Sequence, residues 1–256
     1  MRILAISSQV AWGPVGLTAA VPALQADGHE VVAIPTVTLS NHPGHGKPAG
    51  FRTDPTDMAN IIDTLREMGV LANCGAILTG YFTSVEQVDQ AARAILAVPE
   101  AFVLVDPVIG DNGALYVPGE VAEAVRELLL PLASCITPNA FELGWLAGHQ
   151  VTGETSAIEA AHQLPAPEVL ATSVPAGDDK LATLAVSDGP VERHMATRRA
   201  EVPHGTGDFL AGLYLAARLK SPPATALRSS MAVLERAMDR SIGTAVLDVA
   251  GTLHGA

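Results

Sequence analysis

Short apolar runs that each end in or lead straight into a polar residue, separated by stretches of helical spacing, most constrain what this chain can fold into. Arg2 to Ser7, Glu30 to Pro35, Gly75 to Thr79, Phe102 to Asp106, Ser134 to Thr137 and Glu168 to Thr172 are such runs. Their length and near-continuous apolarity fit strands covered on both faces. Gly13 to about Leu24, Pro55 to Met68, Ser84 to Leu96, Gly119 to Leu130, Ala140 to Ala147 and Thr155 to Gln163 carry helical spacing between them. Leu181 to Ser187 and Val191 to Thr197 read as an antiparallel pair joined at Asp188-Gly189. A helix after Gly205 and another from Ala224 to Ser241 close the helical count. The alternation predicts an α/β chain: a single three-layer αβα domain over residues 1–256, with a mostly parallel central sheet and helices on both faces. Residues 36–54, rich in Gly, Pro, His and Ser, predict a long polar loop whose first half walls a pocket.

Open sheets of this kind bind ligands beyond the carboxyl ends of their strands. The polar residues there are Ser7-Ser8-Gln9, Thr36 to Gly44, Thr79-Gly80-Tyr81, Asp106-Pro107, Thr137-Pro138-Asn139 and Thr172-Ser173. The same edge should hold Pro203-His204-Gly205-Thr206-Gly207-Asp208, which runs straight into the apolar helix Phe209 to Arg218. A helix start leaves backbone N–H groups unpartnered and partly positive, and glycines there let an anion approach closely. Asp208 at that mouth is placed to accept a proton beside such an anion. The bland alternative is an aspartate capping a Gly-rich turn.

Composition removes several classes. The formal net charge is −12 with only 15 Lys and Arg, and no basic stripe is visible, which argues against nucleic acid and anionic membranes as partners. Cys74 and Cys135 belong to no CxxC pattern and read as reduced, buried thiols. The apolar N-terminal run is short for a signal peptide, and no segment approaches the length of a membrane span, so a cytoplasmic protein is expected. A P-loop, HExxH, zinc-type Cys/His spacing and GxSxG are absent. Gly13-Pro-Val-Gly16 falls short of the GxGxxG of a nucleotide-dependent oxidoreductase.

Asp106-Pro-Val-Ile-Gly-Asp-Asn-Gly113, Thr137-Pro-Asn-Ala-Phe-Glu142 and Gly205-Thr-Gly-Asp208 follow one another in a fixed order. Together with Ile6-x-Ser8, Thr36-Val37, Ser40-Asn-His42, Gly46-Lys47 and Gly80-Tyr81, they resemble the pyridoxal kinase branch of the ribokinase-like superfamily, from Ile3 to about Leu215. The resemblance implies a ribokinase-like fold, a homodimer and phosphoryl transfer from ATP to the 5′-hydroxyl of pyridoxal in vitamin B6 salvage, with pyridoxine and pyridoxamine left open as acceptors. It also implies Asp208 as the base and Gly205, Thr206 and Gly207 as the anion hole. Ser8 would bind the pyridine ring, and Thr36, His42, Pro43, Gly44 and Tyr81 would wall the pocket. Asp106 and Glu142 would organise Mg²⁺, and Thr137, Thr172 and Ser173 would meet the nucleotide. The segment Asp188 to Pro203 would cover it, and a monovalent cation such as K⁺ is compatible with the family.

Each of these residues has a plainer reading. Ser8 could cap a helix, Tyr81 could pack, Glu142 could serve the helix dipole, and His42 and His45 could be loop surface; His204 reads as structural. Departures from the family pattern are Leu17 in place of a small polar residue, His45 in place of an aromatic one, and no cysteine in Ala114-Leu115-Tyr116. Lys180 also stands away from the strand end. The nearest rival, hydroxymethylpyrimidine kinase, resembles this chain but usually carries cysteine where Asp208 stands and methionine where Tyr81 stands. A non-catalytic vitamin-binding protein on the same fold is the other alternative.

Overall fold

In the computed structural model, which describes residues 1–254, the first apolar run forms a strand whose Ile3, Leu4, Ala5 and Ile6 are fully buried. Alternate side chains of such a strand face opposite layers, and so it is here. Ile3 and Ala5 pack with the helices of one face, Leu4 and Ile6 with those of the other.

The elements follow in order. They are β1 (Arg2–Trp12), α1 (Leu17–Ala26), β2 (Glu30–Asn41), β3 (Gly50–Arg52), α2 (Pro55–Glu67), β4 (Cys74–Thr79) and α3 (Val85–Leu96). Next come β5 (Phe102–Val105), β6 (Gly110–Asp111), β7 (Ala114–Leu115), α4 (Gly119–Ala124), β8 (Cys135–Ile136), α5 (Ala140–Ala147) and α6 (Glu154–Gln163). Then follow β9 (Val169–Pro175), β10 (Lys180–Val186), β11 (Glu192–Thr197), α7 (Thr206–Arg218), α8 (Pro223–Arg240) and α9 (Val249–His254). One nine-stranded sheet runs β11-β10-β9-β8-β5-β4-β1-β2-β3. The pairs from β2 through β9 are parallel, and β3, β10 and β11 join antiparallel at the two ends. Helices α2 to α6 cover one face and α1, α7, α8 and α9 the other, as the alternation predicts.

Local chemistry sets several boundaries. Asp54 caps α2 by accepting from the Thr56 N–H at 2.8 Å, with Pro55 in the first turn. Asn139 and Glu142 close a capping box at the start of α5.

The structure corrects five expectations. Residues 36–54 are not one long loop: β2 continues to Asn41, Pro43–His45 forms a short 3₁₀ turn, and β3 pairs back through Val37↔Arg52, Thr38↔Phe51 and Leu39↔Gly50. The β-branched Thr36-Val37-Thr38 sustains the strand once β3 supplies a partner. β1 likewise runs on to Trp12, and α1 starts at Leu17 rather than Gly13, because Gly13 and Gly16 both take positive φ and turn the chain. The stretch Gly119 to Leu130 is helical as expected but α-helical only to Ala124, continuing as a π-helix over Val125–Leu129. The hairpin β6–β7 and helix α9 have no counterpart in the expected elements. Among the described residues no helix is long and apolar enough to cross a membrane.

Candidate active site

Gly205 caps α7 with φ 91°, and a side chain there would run into the Pro14 carbonyl. Only glycine takes that conformation at so close an approach. The turn after β1 therefore backs directly onto the turn before α7. Gly16 lies in the same contact, at φ 58°, against the carbonyl and hydroxyl of Ser8. Asp208, in the first turn of α7, is half-buried. Burial raises its carboxyl above the usual carboxylate range, while the N–H groups of Gly16 and of Asp208 itself pull the other way. Ser8, Gly16 and Asp208 thus form one patch, with the open amides of a 13-residue helix beside it.

A first group of residues lies along β1 and β2 and just beyond β4. Thr36 is fully buried and its hydroxyl donates to the Tyr81 carbonyl at 2.7 Å, so it holds Tyr81 in place from behind. The Tyr81 N–H donates to the Ser7 hydroxyl at 3.1 Å. Tyr81 is half-buried, and burial lifts its phenol. Sequence reasoning missed Gln87, which lies 1% exposed in the first turn of α3. Its amide donates to the Thr36 carbonyl at 2.8 Å and the Thr53 carbonyl at 2.7 Å, and its oxygen accepts from the Thr83 N–H at 2.9 Å. The only signal for it is a glutamine three residues after the capping Ser84.

The loop beyond β2 carries His42, Pro43 and Gly44. The Gly44 N–H donates to Nδ1 of His42 at 3.1 Å, which leaves the ring proton on Nε2. The His42 ring lies 4.0 Å from that of His204. Burial first, then the neighbouring His204 and His45, hold the His42 imidazole down to about 4.

A second group of residues lies on or just beyond β5, β8 and β9. Asp106 is buried, and the Thr137 hydroxyl donates to its Oδ1 at 2.9 Å. Burial, then Glu142 and Asp208, push its carboxyl well up. Glu142 is 3% exposed and accepts from three backbone N–H groups: Ile109 at 2.8 Å, Gly110 at 3.3 Å and Asn139 at 3.0 Å. Burial nonetheless raises it to about 7. Glu142 therefore shapes the Val108–Gly110 turn as well as capping α5, which joins the dipole reading to the metal reading. Tyr116 keeps half its surface in solvent, and partial burial, then Glu142, Asp106 and Asp208, drive its phenol upward. Thr172 bridges to Asn139, and its N–H donates to the Pro138 carbonyl at 2.8 Å. Ser173 is exposed at φ 55°. Among the described residues no three or more His, Cys, Asp or Glu converge as a metal cage.

One expected placement fails. Because β10 runs antiparallel to β9, the Asp188-Gly189 turn falls at the opposite edge, beside Val169 at the start of β9. Only the later part of the segment returns to the site. There Val202, Pro203 and His204 line a cavity of about 260 Å³ with His45, Gly243 and Thr244. Arg199 fixes this return by pairing with Asp239 of α8 at 2.6 Å.

Comparison with known proteins agrees with this geometry. The phosphomethylpyrimidine kinase family matches residues 13–250. The pyridoxal kinase PdxY of Leifsonia xyli subsp. xyli is 36% identical over 243 residues, 90% of this chain and 86% of that protein. The structure of pyridoxal kinase from Leishmania donovani in complex with ADP and pyridoxine superposes with a TM-score of 0.92 at 33% identity, covering 99% of this chain and 94% of the other. That of pyridoxal kinase from Entamoeba histolytica gives 0.94 at 27% identity, with the same coverage. On fold and sequence alike, the chain belongs to the phosphomethylpyrimidine kinase family and, within it, to the pyridoxal kinases of the ribokinase-like superfamily.

Proposed function

We propose that this protein transfers the γ-phosphoryl group of ATP to the 5′-hydroxyl of pyridoxal. The observation that carries the reading is the contiguity of Ser8, Gly16 and Asp208 beside the unpartnered amides of α7. An acceptor held against Ser8 and Tyr81 presents its hydroxyl to Asp208. Asp208 takes the proton as the new O–P bond forms and the bond to the β-phosphate oxygen breaks, releasing ADP. The N–H groups from Gly205 to Gly207 hold the charge on the group in transit. Burial raises the basicity of Asp208 toward working pH, which suits a proton acceptor better than an ordinary carboxylate does.

The donor side fits a divalent cation. The charged groups acting on Asp106 are the acidic Glu142 and Asp208, and a cation would offset them. Mg²⁺ keeps much of its water and takes one or two carboxylates plus phosphate oxygens, which matches a site without a protein cage. Asp106 would hold it, with Glu142 behind, its oxygens already engaged by amides. When bound, the ion supplies charge neutralisation on the phosphates. Thr137 and Thr172 flank the nucleotide phosphates, with Ser173 at the rim. The 256 residues act as one kinase domain, working as a homodimer in the cytoplasm, where Cys74 and Cys135 stay reduced.

The match to the phosphomethylpyrimidine kinase family keeps a pyrimidine acceptor as the rival, and hydroxymethylpyrimidine is the one that the sequence resemblance raised. Following pyridoxal phosphate by absorbance, with hydroxymethylpyrimidine as competing substrate, separates the two. ATP-dependent turnover of pyridoxal is expected; turnover of the pyrimidine alone overturns the assignment.

A further inference from the structure

Four aromatic rings from three distant segments meet where the acceptor loop faces the phosphate turn. His204 immediately precedes Gly205 and packs on His42 with ring centroids 4.0 Å apart and planes at 34°. His45 meets His204 edge-on at 5.3 Å and 81°, and meets Trp12 at 5.0 Å and 64°. The backbone beneath these rings is fixed on both sides. Gly205 is wedged under the Pro14 carbonyl, and the 3₁₀ turn Pro43–His45 is closed by the bond from the Gly44 N–H to His42. Any side chain at Gly44 would strike the His204 ring, so the loop sits directly against it.

The cluster is not built for a metal. The rings of His42 and His204 lie against each other at a tilt of 34°, and Nδ1 of His42 already accepts a hydrogen bond, which puts the proton on Nε2. Stacking of this kind needs uncharged rings, and burial with mutual proximity lowers both His42 and His204.

We infer that His204 is a positioning residue, whose ring latches the His42–His45 loop onto the Gly205 turn and so fixes the acceptor pocket against the phosphoryl site. This rests on the kinase reading above and adds a component that the Gly-x-Gly-Asp motif does not contain. The ring acts by stacking, so any planar aromatic of similar size should serve, and the loss should fall on acceptor binding rather than on chemistry.

The test uses the full chain. For His204→Ala, KM for pyridoxal should rise roughly three- to tenfold, the range expected for losing one aromatic pair. KM for ATP and kcat should stay within about twofold, and His204→Phe should restore the pyridoxal KM. In a Trp145→Phe background Trp12 is the single tryptophan reporter. Acrylamide quenching of its emission, without substrates, should increase in His204→Ala and return in His204→Phe. Should His204→Ala not fold, His45→Ala tests the same contact through the same two readouts. Unchanged pyridoxal KM and unchanged quenching overturn the latch, and so does equal impairment in the alanine and phenylalanine variants. Quenching needs no turnover, so it can uphold or sink the latch even if pyridoxal proves not to be the acceptor.

Discussion

Glu142 accepts the N–H of Ile109 at 2.8 Å and thereby pins the residue that follows Val108, a β-branched residue at φ 45°. Such a φ is strained for valine and persists only where its surroundings enforce it. The carboxylate that reads as a metal organiser is thus also the support of the turn between Asp106 and Gly110.

Removing that support should cost stability before it costs chemistry. Glu142→Ala leaves the amides of Ile109, Gly110 and Asn139 without their acceptor, for an expected loss of about 2–3 kcal/mol. Glu142→Gln keeps an acceptor oxygen and should lose less than half of that. Urea denaturation measures both; equal stability of all three proteins contradicts the structural role.

Asp208→Asn keeps size and removes the base. Turnover should fall by about 10²- to 10⁴-fold, while affinities for pyridoxal and ATP stay near wild type. Single-turnover kinetics with separate binding titrations check this. A rate within tenfold of wild type removes Asp208 from proton transfer.

At the far edge of the sheet, Glu168 accepts from the Tyr214 hydroxyl at 2.7 Å and from Arg218 Nε at 2.8 Å. The carboxylate is buried, so Glu168→Ala strands both partners and should cost about 3 kcal/mol, or roughly 6–12 °C in melting temperature. Because this cluster precedes β9 rather than following it, kcat per folded molecule should be unchanged. A thermal melt paired with active-site titration decides it.

Acid should loosen the acceptor loop. His42 is lowered from 6.5 to about 4 by burial and by its histidine neighbours. Between those values the unfolded chain binds a proton that the folded loop refuses, so this contribution is present above pH 6.5 and is lost as pH falls toward 4. His42→Phe keeps the stack and abolishes the titration. The drop in denaturation midpoint from about pH 7.5 to about pH 5 should be smaller in that variant, and equal drops would refute the assignment.

Much of the scaffold was legible because strands buried on both faces write their burial directly into composition. Ile3 to Ile6 and Val103 to Val105 need no partner to be recognised. The strand-end rule then gathers Asp106, Thr137 and Thr172 at one edge, where the structure places them. What escaped depends on pairing between distant segments. Thr36 to Asn41 becomes strand because the extension of β1 lies on one side of it and Gly50 to Arg52 on the other. Asp188 lands at the wrong edge because the direction of β10 is a topological fact, not a local one. Gln87 is an ordinary polar residue until three backbone partners from separate loops converge on it. The ring cluster likewise needs the end of β1 and two distant loops to meet before it exists.

The strand order has a consequence for engineering. Ser8 and Thr36 lie within the extended β1 and β2 and Tyr81 just beyond β4, whereas Asp106, Thr137 and Thr172 lie on or just beyond β5, β8 and β9. On the proposed reading, the two substrates would be read by separate, contiguous halves of one sheet. Loops on the β1-β2-β4 half could be exchanged to recruit a different alcohol while the donor half is inherited intact, with Asp208 and its glycines as the shared seam.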